Sequence, residues 1–355
     1  VLVGRLIIDW WTQVKGKSIA FSTKMSESAF SNLNYDFIKM RKISYAVSGA
    51  IILAGFISFF TLGFQQGVDF KGGYSYAIEF EKTTTADEVR SAMTTTFGEE
   101  PTVKSFGGNN TYEITTTYLI TSNEEGADSL VLDKLFEGAQ AISGNTEMSR
   151  DDFVRGGADT KLTRSIKVGP TIADDIKTSA FYAAIFALLL IFLYIFIRFR
   201  KWQYSLGAVA ALFHDVLIVL SIFSIGSAFL PFSVEINQVF IGAILTVIGY
   251  SLNDTVVVFD RIREFLNEHT NWTFDKTINS SLNSTLSRTL NTSVTTLVVL
   301  LAMFAFGADS LRGLLFALIV GVLVGTYSSL FIATPIMYDT AKKGDAAEAL
   351  KTKVK

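Results

Sequence analysis

Ionisable side chains in the middle of apolar sequence are the features of this chain with the clearest chemical potential. Asp215 lies near the centre of the apolar stretch 204–229, directly after His214. An ionised carboxylate at the centre of a bilayer costs about 2.5–3.5 kcal/mol on insertion scales, so such a residue persists where it faces a partner or water. We therefore favour a functional role for Asp215, with a structural ion pair as the alternative.

A second group of charges lies at the end of the apolar stretch 239–259. Asp254 and Arg261 are seven residues apart and share one face of a helix, whereas Asn253 and Asp260 share the neighbouring face. Arg261 lies near the edge of the stretch, where a long side chain can extend to the headgroups with no further function. Asp254 lies about two turns deeper, too far for its short side chain to reach water, and remains a functional candidate.

A polar stripe runs along a third apolar segment, 288–306. Arg288, Asn291, Thr292 and Thr295 recur at spacings of three and four residues, so they share one helix face. Such a stripe is costly in contact with lipid, and we expect it to face the interior of the helix bundle. Threonines alone would be ordinary packing residues, but Arg288 together with Asn291 favours a hydrated or ion-paired lining.

Together these groups have the composition of a proton path. Burial and a nearby arginine act in opposite directions on a carboxyl group, and their balance lets it bind and release a proton near neutral pH. A proton crossing a membrane releases about 2.3 kcal/mol per 100 mV and about 1.4 kcal/mol per pH unit. That energy is enough to bias a two-state element. The predicted relay consists of Asp215, Asp254, Arg261, Arg288, Asn253 and Asp260.

The composition excludes several other chemistries. The net charge of −2 provides no basic surface for nucleic acid. The chain has no cysteine and two histidines, His214 and His269, which excludes disulfides, a cysteine nucleophile, and thiolate or His-rich metal sites. The pair Gly72-Gly73 lacks the Gly-Lys-Ser/Thr of a nucleotide-binding loop and is interpreted as a tight turn. We expect no metal and no cofactor, with protons as the coupling ion.

Six apolar stretches are long enough to cross a bilayer, which takes about 20 helical residues. They are 43–62, 179–197, 204–229, 239–259, 288–306 and 314–338. Lysines and arginines concentrate before the first stretch and after the second, fourth and sixth, so both termini are predicted to be cytoplasmic and residues 64–175 to lie outside. Pro335 is expected to kink or end the last stretch. Small residues recur every four positions in that stretch and predict close helix packing: Gly313, Ala317, Gly321, Gly325 and Ser329.

The outer segment has the pattern of a soluble α+β domain. Strands are predicted at 74–80, 103–106, 111–117 and 165–168, and helices at 85–97, capped by Thr85, and at 129–142. The order βαββαβ predicts a small ferredoxin-like domain. The predicted organisation is a preceding helix end and linker (1–34), a first transmembrane helix (35–63), a periplasmic domain (64–175), a five-helix transmembrane bundle (176–340) and a cytoplasmic tail (341–355).

Seven motifs resemble those of the SecF family and occur in that family's order. The first is 67–73, with Gly67, Asp69, Phe70, Gly72 and Gly73. The others are 168–170, 198–200, 211–215 with His214, 249–254, 260–264 and 287–290. The motifs are spread over about 41–338. The resemblance implies a polytopic α-helical membrane protein of the bacterial inner membrane, the six-helix half of a resistance-nodulation-division bundle.

The resemblance also implies partners and a task. A SecF subunit pairs with a SecD half, either upstream in the same chain or as a separate subunit, and 1–34 looks like the tail of such a half. The pair associates with the SecYEG channel and uses the proton motive force to pull unfolded preproteins outward after the SecA ATPase has pushed them in. By motif, the family's proton-linked residues fall on Asp215 and on Arg261 or Arg288. The chain is expected to be a transport factor within membrane lipid, not an enzyme.

Other functions agree with part of this pattern. A proton-driven efflux pump half of the same superfamily would carry a larger outer domain than the roughly 110 residues present here. A membrane scaffold would use the polar groups only to specify helix packing. A membrane enzyme would need a nucleophile–base pair or a metal cluster, and the sequence indicates neither.

Overall fold

The computed structural model describes residues 9–14, 34–107, 110–122, 125–230, 232 and 234–342. Its helices are α1 (Phe37–Leu62), α2 (Val68–Lys71), α3 (Ala86–Phe97), α4 (Ala127–Ser143), α5 (Arg150–Arg155), α6 (Pro170–Phe199), α7 (Trp202–Gly226), α8 (Gln238–Glu268), α9 (Phe274–Phe306), α10 (Arg312–Ser328) and α11 (Thr334–Lys342). Its strands are β1 (Gly73–Glu79), β2 (Thr102–Ser105), β3 (Thr111–Thr116) and β4 (Lys161–Val168). Most of the segment predicted at 1–34 lies outside the described residues, and so does most of the tail predicted at 341–355. Trp10–Val14, in the first of these segments, form a π-helical turn.

Six helical segments have the length and apolar composition needed to cross a membrane, as the sequence predicts. They are α1, α6, α7, α8, α9 and the last segment, Arg312–Ala341. Some extend well beyond the apolar stretches: α9 begins at Phe274 instead of Arg288, and α8 continues to Glu268 instead of ending at Phe259. Hydropathy detects only the part of a helix that suits lipid, whereas the helical hydrogen bonds continue into the polar turns on either side.

Local sequence signals account for several helix ends. Helix α6 begins at Pro170, nine residues earlier than the apolar stretch at 179, because proline is well suited to the first helical position. The side chain of Asn237 caps α8 by accepting a hydrogen bond from the amide of Phe240 at 2.9 Å. Helix α1 ends at Leu62 and is followed by Gly63, whose φ of 73° is strained for most residues but open to glycine.

The last span changes its helical geometry near Pro335. A π-helical turn, Ser329–Ala333, separates α10 from α11. Proline has no amide hydrogen and cannot bond to the carbonyl four residues earlier, so the regular pattern is interrupted at this point. The hydroxyl of Thr334 donates to the carbonyl oxygen of Ser329 at 3.1 Å. The helix widens and then continues to Lys342, so Pro335 does not end it.

Residues 73–168, hereafter the sheet domain, form an antiparallel sheet in the order β2-β3-β1-β4. Tyr76 of β1 lies opposite Ile114 of β3 on one side and Ser165 of β4 on the other. This is the ferredoxin-like arrangement that the βαββαβ pattern predicts. The structure adds the short helix α5 and extends β4, which begins at Lys161 instead of Ser165.

Helices α3 and α4 cover one face of this sheet. Val89 and Met93 of α3 are fully buried with Val131 and Leu135 of α4. The predicted cap of α3 is present: the hydroxyl of Thr85 accepts from the amide of Glu88, and the Glu88 carboxylate accepts from the amide of Thr85. These bonds favour the ionised carboxylate, so the Thr85 amide, followed by the Thr84 hydroxyl, lowers the pKa of Glu88.

In the membrane bundle, α7 and the last span are central, while α6 and α9 are peripheral. The most apolar part of the last span is 61% buried within this chain, against 6% for α6 and 11% for α9. Two clusters of aromatic side chains pack around α7. Tyr204 stacks against Phe199 near its beginning, and Phe223 contacts Phe240 near its end. Asp215 lies on α7 between these clusters.

The small residues of the last span contact helix α8. A Cβ atom added to Gly321 would lie 2.0 Å from Cγ2 of Val247, and one added to Gly325 would lie 2.9 Å from Cβ of Ser251. Ala317 and Ser329 are fully buried, whereas Gly313 is partly exposed. The two helices therefore approach each other at a distance that only glycine permits.

Replacing Gly321 with leucine is expected to destabilise the bundle, because the new side chain would overlap Val247. Overpacking of this kind costs about 1–3 kcal/mol. The thermal unfolding midpoint of the detergent-solubilised chain should therefore fall by several degrees. Gly49→Leu is the matched control, since nothing lies within 4 Å of a Cβ atom added at Gly49 of α1. Equal unfolding midpoints for the two variants would contradict this packing.

Candidate functional site

The carboxyl group of Asp215 is fully buried at the meeting point of three spans. The hydroxyl of Ser251, on α8, donates to its Oδ2 at 2.6 Å. The hydroxyl of Ser328, at the end of α10, donates to the same oxygen at 2.8 Å. The other oxygen, Oδ1, lies 3.0 Å from Nδ1 of His214. Both carboxyl oxygens thus have polar partners although no part of the group contacts solvent.

The imidazole of His214 extends this network to the first span. Its Nε2 lies 2.9 Å from the hydroxyl of Ser48 on α1. That hydroxyl is 3.2 Å from the phenol oxygen of Tyr327, which donates to the carbonyl of Ser44 at 3.1 Å. A continuous chain of hydrogen-bonding groups therefore runs from Asp215 through His214 and Ser48 to Tyr327.

Asp254 has a similar environment, with hydroxyl partners on α9 and on the last span. The hydroxyl of Thr289, on α9, donates to its Oδ1 at 3.0 Å. The hydroxyl of Ser329 donates to its Oδ2 at 3.2 Å. Asp254 is at the edge of the buried class, with 9% of its surface exposed, whereas Asp215 has none. Asp254 is therefore the outer of the two carboxyl groups.

Two consecutive serines bind one carboxyl group each. Ser328 bonds to Asp215 and Ser329 bonds to Asp254, because neighbouring residues on a helix point in different directions. They lie where α10 passes into the π-helical turn, a type of irregularity that frequently marks functional sites. We name the six side chains of this arrangement the serine–aspartate cluster: Asp215, Asp254, Ser251, Ser328, Ser329 and Thr289.

The predicted partners Asp260 and Arg261 are engaged elsewhere. Asp260 pairs with Arg198 at 3.0 Å and with Arg263 at 3.3 Å. Arg261 donates to Glu264 at 2.6 Å, and also to the hydroxyl of Ser284. These pairs lie toward the C-terminal end of α8, beyond Asp254. Among the described residues, no lysine or arginine lies within ion-pair distance of Asp215 or Asp254.

The expectation that the polar stripe of α9 faces the interior is wrong for the bundle formed by this chain. Arg288, Asn291, Thr292 and Thr295 are all exposed, as is Asn253 on the neighbouring helix α8. Arg288 and Arg261 line an open groove between α8 and α9. The stripe therefore lies on the outer surface of these six spans.

A different stripe of α9 faces inward. Its members are small hydroxyl residues that recur every four positions and are buried: Thr277, Ser281, Thr285, Thr289 and Ser293. Small side chains allow neighbouring helices to approach closely, whereas arginine and asparagine are too large for such contacts. The four-residue spacing of serine and threonine was the sequence signal for this face.

The residues of the predicted family motif at 67–73 lie where the sheet domain joins the bundle. The amide of Gly67 donates to the carbonyl of Ile236, and Asp69 accepts from the amide of Gln238 at 2.9 Å. Phe70 is buried. Gly72 and Gly73 have φ angles of 73° and 139°, values that favour glycine. The residues of the motif at 67–73 are therefore separate from the serine–aspartate cluster.

No group of three histidine, aspartate or glutamate side chains is placed to hold a metal ion in the described part of the chain. The site instead consists of this cluster, with its two carboxyl groups and four hydroxyls, and the imidazole of His214 beside it. Hydroxyl groups donate and accept hydrogen bonds, and carboxyl and imidazole groups exchange protons. Proton transfer is the chemistry that this set of side chains supports.

Two family models match the chain. The model described as "Protein export membrane protein SecD/SecF, C-terminal" matches residues 150–343. A second model, "SecD/SecF GG Motif", matches residues 57–84. Their matches include both the serine–aspartate cluster and the glycine motif.

Similar proteins are named protein translocase subunit SecF. The subunit of Rhodothermus marinus is 43% identical over 323 residues, which cover 91% of this chain and 98% of that protein. The subunit of Petrotoga mobilis is 37% identical over 318 residues, 87% of this chain and 97% of that protein. A crystal structure of SecDF from Thermus thermophilus aligns with a TM-score of 0.70 at 27% identity, covering 88% of this chain and 39% of the SecDF chain. A SecDF structure in a super-membrane-facing form has a TM-score of 0.61 over 90% of this chain and 40% of its own.

Removing the hydroxyl of Ser328 is expected to destabilise the bundle through Asp215. Loss of one partner of a buried polar group costs about 1–3 kcal/mol. In a double-mutant cycle, Ser328→Ala should therefore lower the free energy of unfolding in the parent chain and have much less effect in the Asp215→Ala background. Denaturant unfolding in detergent measures all four variants. The same cost in both backgrounds would show that the Ser328–Asp215 bond does not contribute to stability.

Proposed function

The chain belongs to the SecF family of protein translocase subunits, and from this membership we propose that it uses the proton motive force to complete the translocation of preproteins across the bacterial inner membrane. The observation that carries the proposal is a pair of buried carboxyl groups, Asp215 and Asp254, each bound by one of two adjacent serines inside a membrane bundle. A scaffold that needed only helix packing would have no use for such costly groups.

In the proposed relay, protons move between the two carboxyl groups, assisted by rotation of the hydroxyls that bind them, Ser328 at Asp215 and Ser329 at Asp254. A hydroxyl can donate toward one carboxyl oxygen while it accepts from another group, and a small rotation exchanges these roles. Asp254 is the more exposed carboxyl group and lies on α8 near the groove that Arg261 and Arg288 line. It is therefore the entry or exit group, and Asp215, with His214, is the inner one.

Protonation of Asp254 has a structural consequence in this geometry. Hydrogen bonds to an ionised carboxylate are about twice as strong as those between neutral groups. A proton on Asp254 therefore weakens the bonds from Thr289 and Ser329, which connect α8 to α9 and to the last span. The loaded and unloaded states thus favour different positions of these helices, which is the two-state element that a proton-driven motor needs.

A SecD half is the proposed partner of the exposed polar stripe. Arg288, Asn291 and Asn253 are exposed on the surface of this chain's bundle. Contact of these side chains with lipid would be costly, so a second set of helices is expected to cover them. This chain matches about 40% of each SecDF chain, which leaves room for such a half. The SecYEG channel, the SecA ATPase and an unfolded preprotein complete the proposed assembly.

The proposed orientation places both termini in the cytoplasm and the sheet domain in the periplasm. Arg198, Arg261 and Arg263 lie at the end of the bundle away from the sheet domain. Basic residues concentrate on the cytoplasmic side of membrane proteins, which supports this direction.

The test replaces each aspartate of the relay separately. Asp215→Asn and Asp254→Asn each keep a similar shape but cannot carry the proton, so we expect each to abolish the proton-gradient-dependent part of preprotein export. Export is measured with inner-membrane vesicles that contain the variant, its SecD half and SecYEG. The matched control is Asp339→Asn, which removes a carboxylate paired with Arg41 near the end of the last span and should leave export within about twofold of the parent.

Gradient-dependent export by both relay variants at the parent rate would refute the motor function. Increased resistance to a dye, with no effect of any variant on secretion, would instead support an efflux pump of the same superfamily.

A further inference from the structure

The sheet domain is joined to the bundle by a short stretch of backbone pairing. The amide of Gly67 donates to the carbonyl of Ile236 at 3.0 Å, and the amide of Ile236 donates to the carbonyl of Gln65 at 2.8 Å. Residues 65–67 follow the first span, and residue 236 lies two residues before α8. We name this region, residues 65–73 together with 234–238, the joint. It ties the entrance of the sheet domain directly to the start of a membrane helix.

Asp69 adds a polar contact to the N-terminal end of α8. Its Oδ2 accepts a hydrogen bond from the amide of Gln238, the first residue of α8, at 2.9 Å. The first amides of a helix have no partner within the helix, and a carboxylate there also interacts favourably with the helix dipole. Asn237 caps the same end through the amide of Phe240. Asp69 is thus a second cap that another part of the chain supplies.

Three glycines lie at contacts of the joint, and two of them, Gly67 and Gly73, leave no space for a side chain. A Cβ atom added to Gly67 would lie 2.8 Å from Cβ of Asn237, at the start of α8. One added to Gly72 would lie 3.4 Å from Cα of Pro170, where α6 begins. One added to Gly73 would lie 2.7 Å from the carbonyl oxygen of Thr116, in β3. One motif therefore contacts α8, α6 and the sheet at the same time.

A second attachment lies on another strand of the sheet. Lys104 of β2 forms an ion pair with Glu235, which is also part of the joint. The two side chains are only 14% and 15% exposed, so solvent screens this pair less than an ordinary surface pair. β2 is an edge strand, separated from β1 by β3. The segment before α8 is therefore held at two separated points, by the loop that leads into the sheet domain and by an edge strand of that domain, which opposes rotation about either one.

We propose that the joint makes the sheet domain and helix α8 move as one body, and that Asp69 is the positioning residue that transmits the movement. Helix α8 carries Asp254, whose proton load changes the bonds that hold the helix in the bundle. A shift of α8 then reaches the sheet domain through the cap at Gln238 and the pairing at Ile236. This inference rests on the proposed proton-driven function and adds the route by which the proton step does work outside the membrane.

The main experiment compares Asp69→Ala with Asp69→Asn in vesicles that hold the complete complex with its SecD half and SecYEG. Asparagine keeps an acceptor oxygen for the Gln238 amide, whereas alanine does not. We expect Asp69→Ala to conduct protons at the parent rate but to lose about 90% of gradient-dependent export, and Asp69→Asn to retain most of it. A roughly tenfold loss corresponds to about 1.4 kcal/mol, the size expected for one helix cap.

Hydrogen exchange supplies a readout of the joint that does not depend on export. In Asp69→Ala, the amides at 238–240 should exchange several-fold faster than in the parent, with no change in the core of the sheet domain. Parent export by Asp69→Ala despite this faster exchange would overturn the proposal. Loss of proton conduction together with export would also overturn it, because Asp69 would then act on the relay and not on the coupling.

A charge exchange tests the second attachment and remains informative if Asp69→Ala does not fold. Lys104→Glu and Glu235→Lys should each reduce gradient-dependent export, and the double variant should restore it. Failure of the double variant to restore export, with each single variant folded, would argue against the joint. Asp254→Asn is included as a reference: if it exports normally the proton-driven function itself fails, and the joint is then judged by hydrogen exchange alone.

Discussion

The packing of this bundle depends on two buried carboxyl groups, Asp215 and Asp254, that have no cationic side chain as a partner among the described residues. Among the described residues, Asp215 and Asp254 obtain their hydrogen bonds from hydroxyls and one imidazole. A hydroxyl on a short side chain reaches a neighbouring helix only when the two backbones are close. Gly325 permits that approach, because α10 contacts Ser251 at this glycine, within one turn of Ser328. The small-residue seam therefore serves the polar site as well as the packing.

The large-scale features were predictable because each depends on a periodic or cumulative property of the sequence. Six spans follow from hydropathy summed over many residues, and the ferredoxin-like sheet follows from alternating strands and a capped helix at Thr85. Their ends were less predictable: Pro170 begins α6 inside the segment predicted to be outside the membrane, and α9 begins at Phe274. These ends depend on capping and tertiary contacts that hydropathy does not measure.

The site was predictable only in part, for a chemical reason. Asp215 and Asp254 were identifiable because a carboxylate in an apolar stretch is costly wherever it points. Ser251, Ser328 and Ser329 were not identifiable, because serine has a low energetic cost in a membrane helix. A four-residue spacing of small residues is equally compatible with close packing and with hydrogen bonding. Ser329 was assigned to packing for this reason, yet its hydroxyl bonds to Asp254. The polar stripe with Arg288 was expected inside the bundle but is exposed on the six spans of this chain, where the proposed SecD half would cover it.

Helix α8 and the last span differ in a way that assigns them different mechanical roles. Helix α8 is continuous from Gln238 to Glu268, although Gly242 and Gly249 lie within it. Gln238 and Asp254 are 16 residues apart on this helix, a separation of about 24 Å at 1.5 Å per residue. An uninterrupted helix transmits displacement over that length with little bending.

The last span instead contains the π-helical turn that begins at Ser329 and lies close to Pro335, where its backbone hydrogen bonding is already altered. When the charge of Asp254 changes, we therefore expect the last span to deform at this turn and α8 to move without bending. Through the joint, the start of the rigid element is bonded to the sheet domain, so a displacement of α8 is expected to reach that domain.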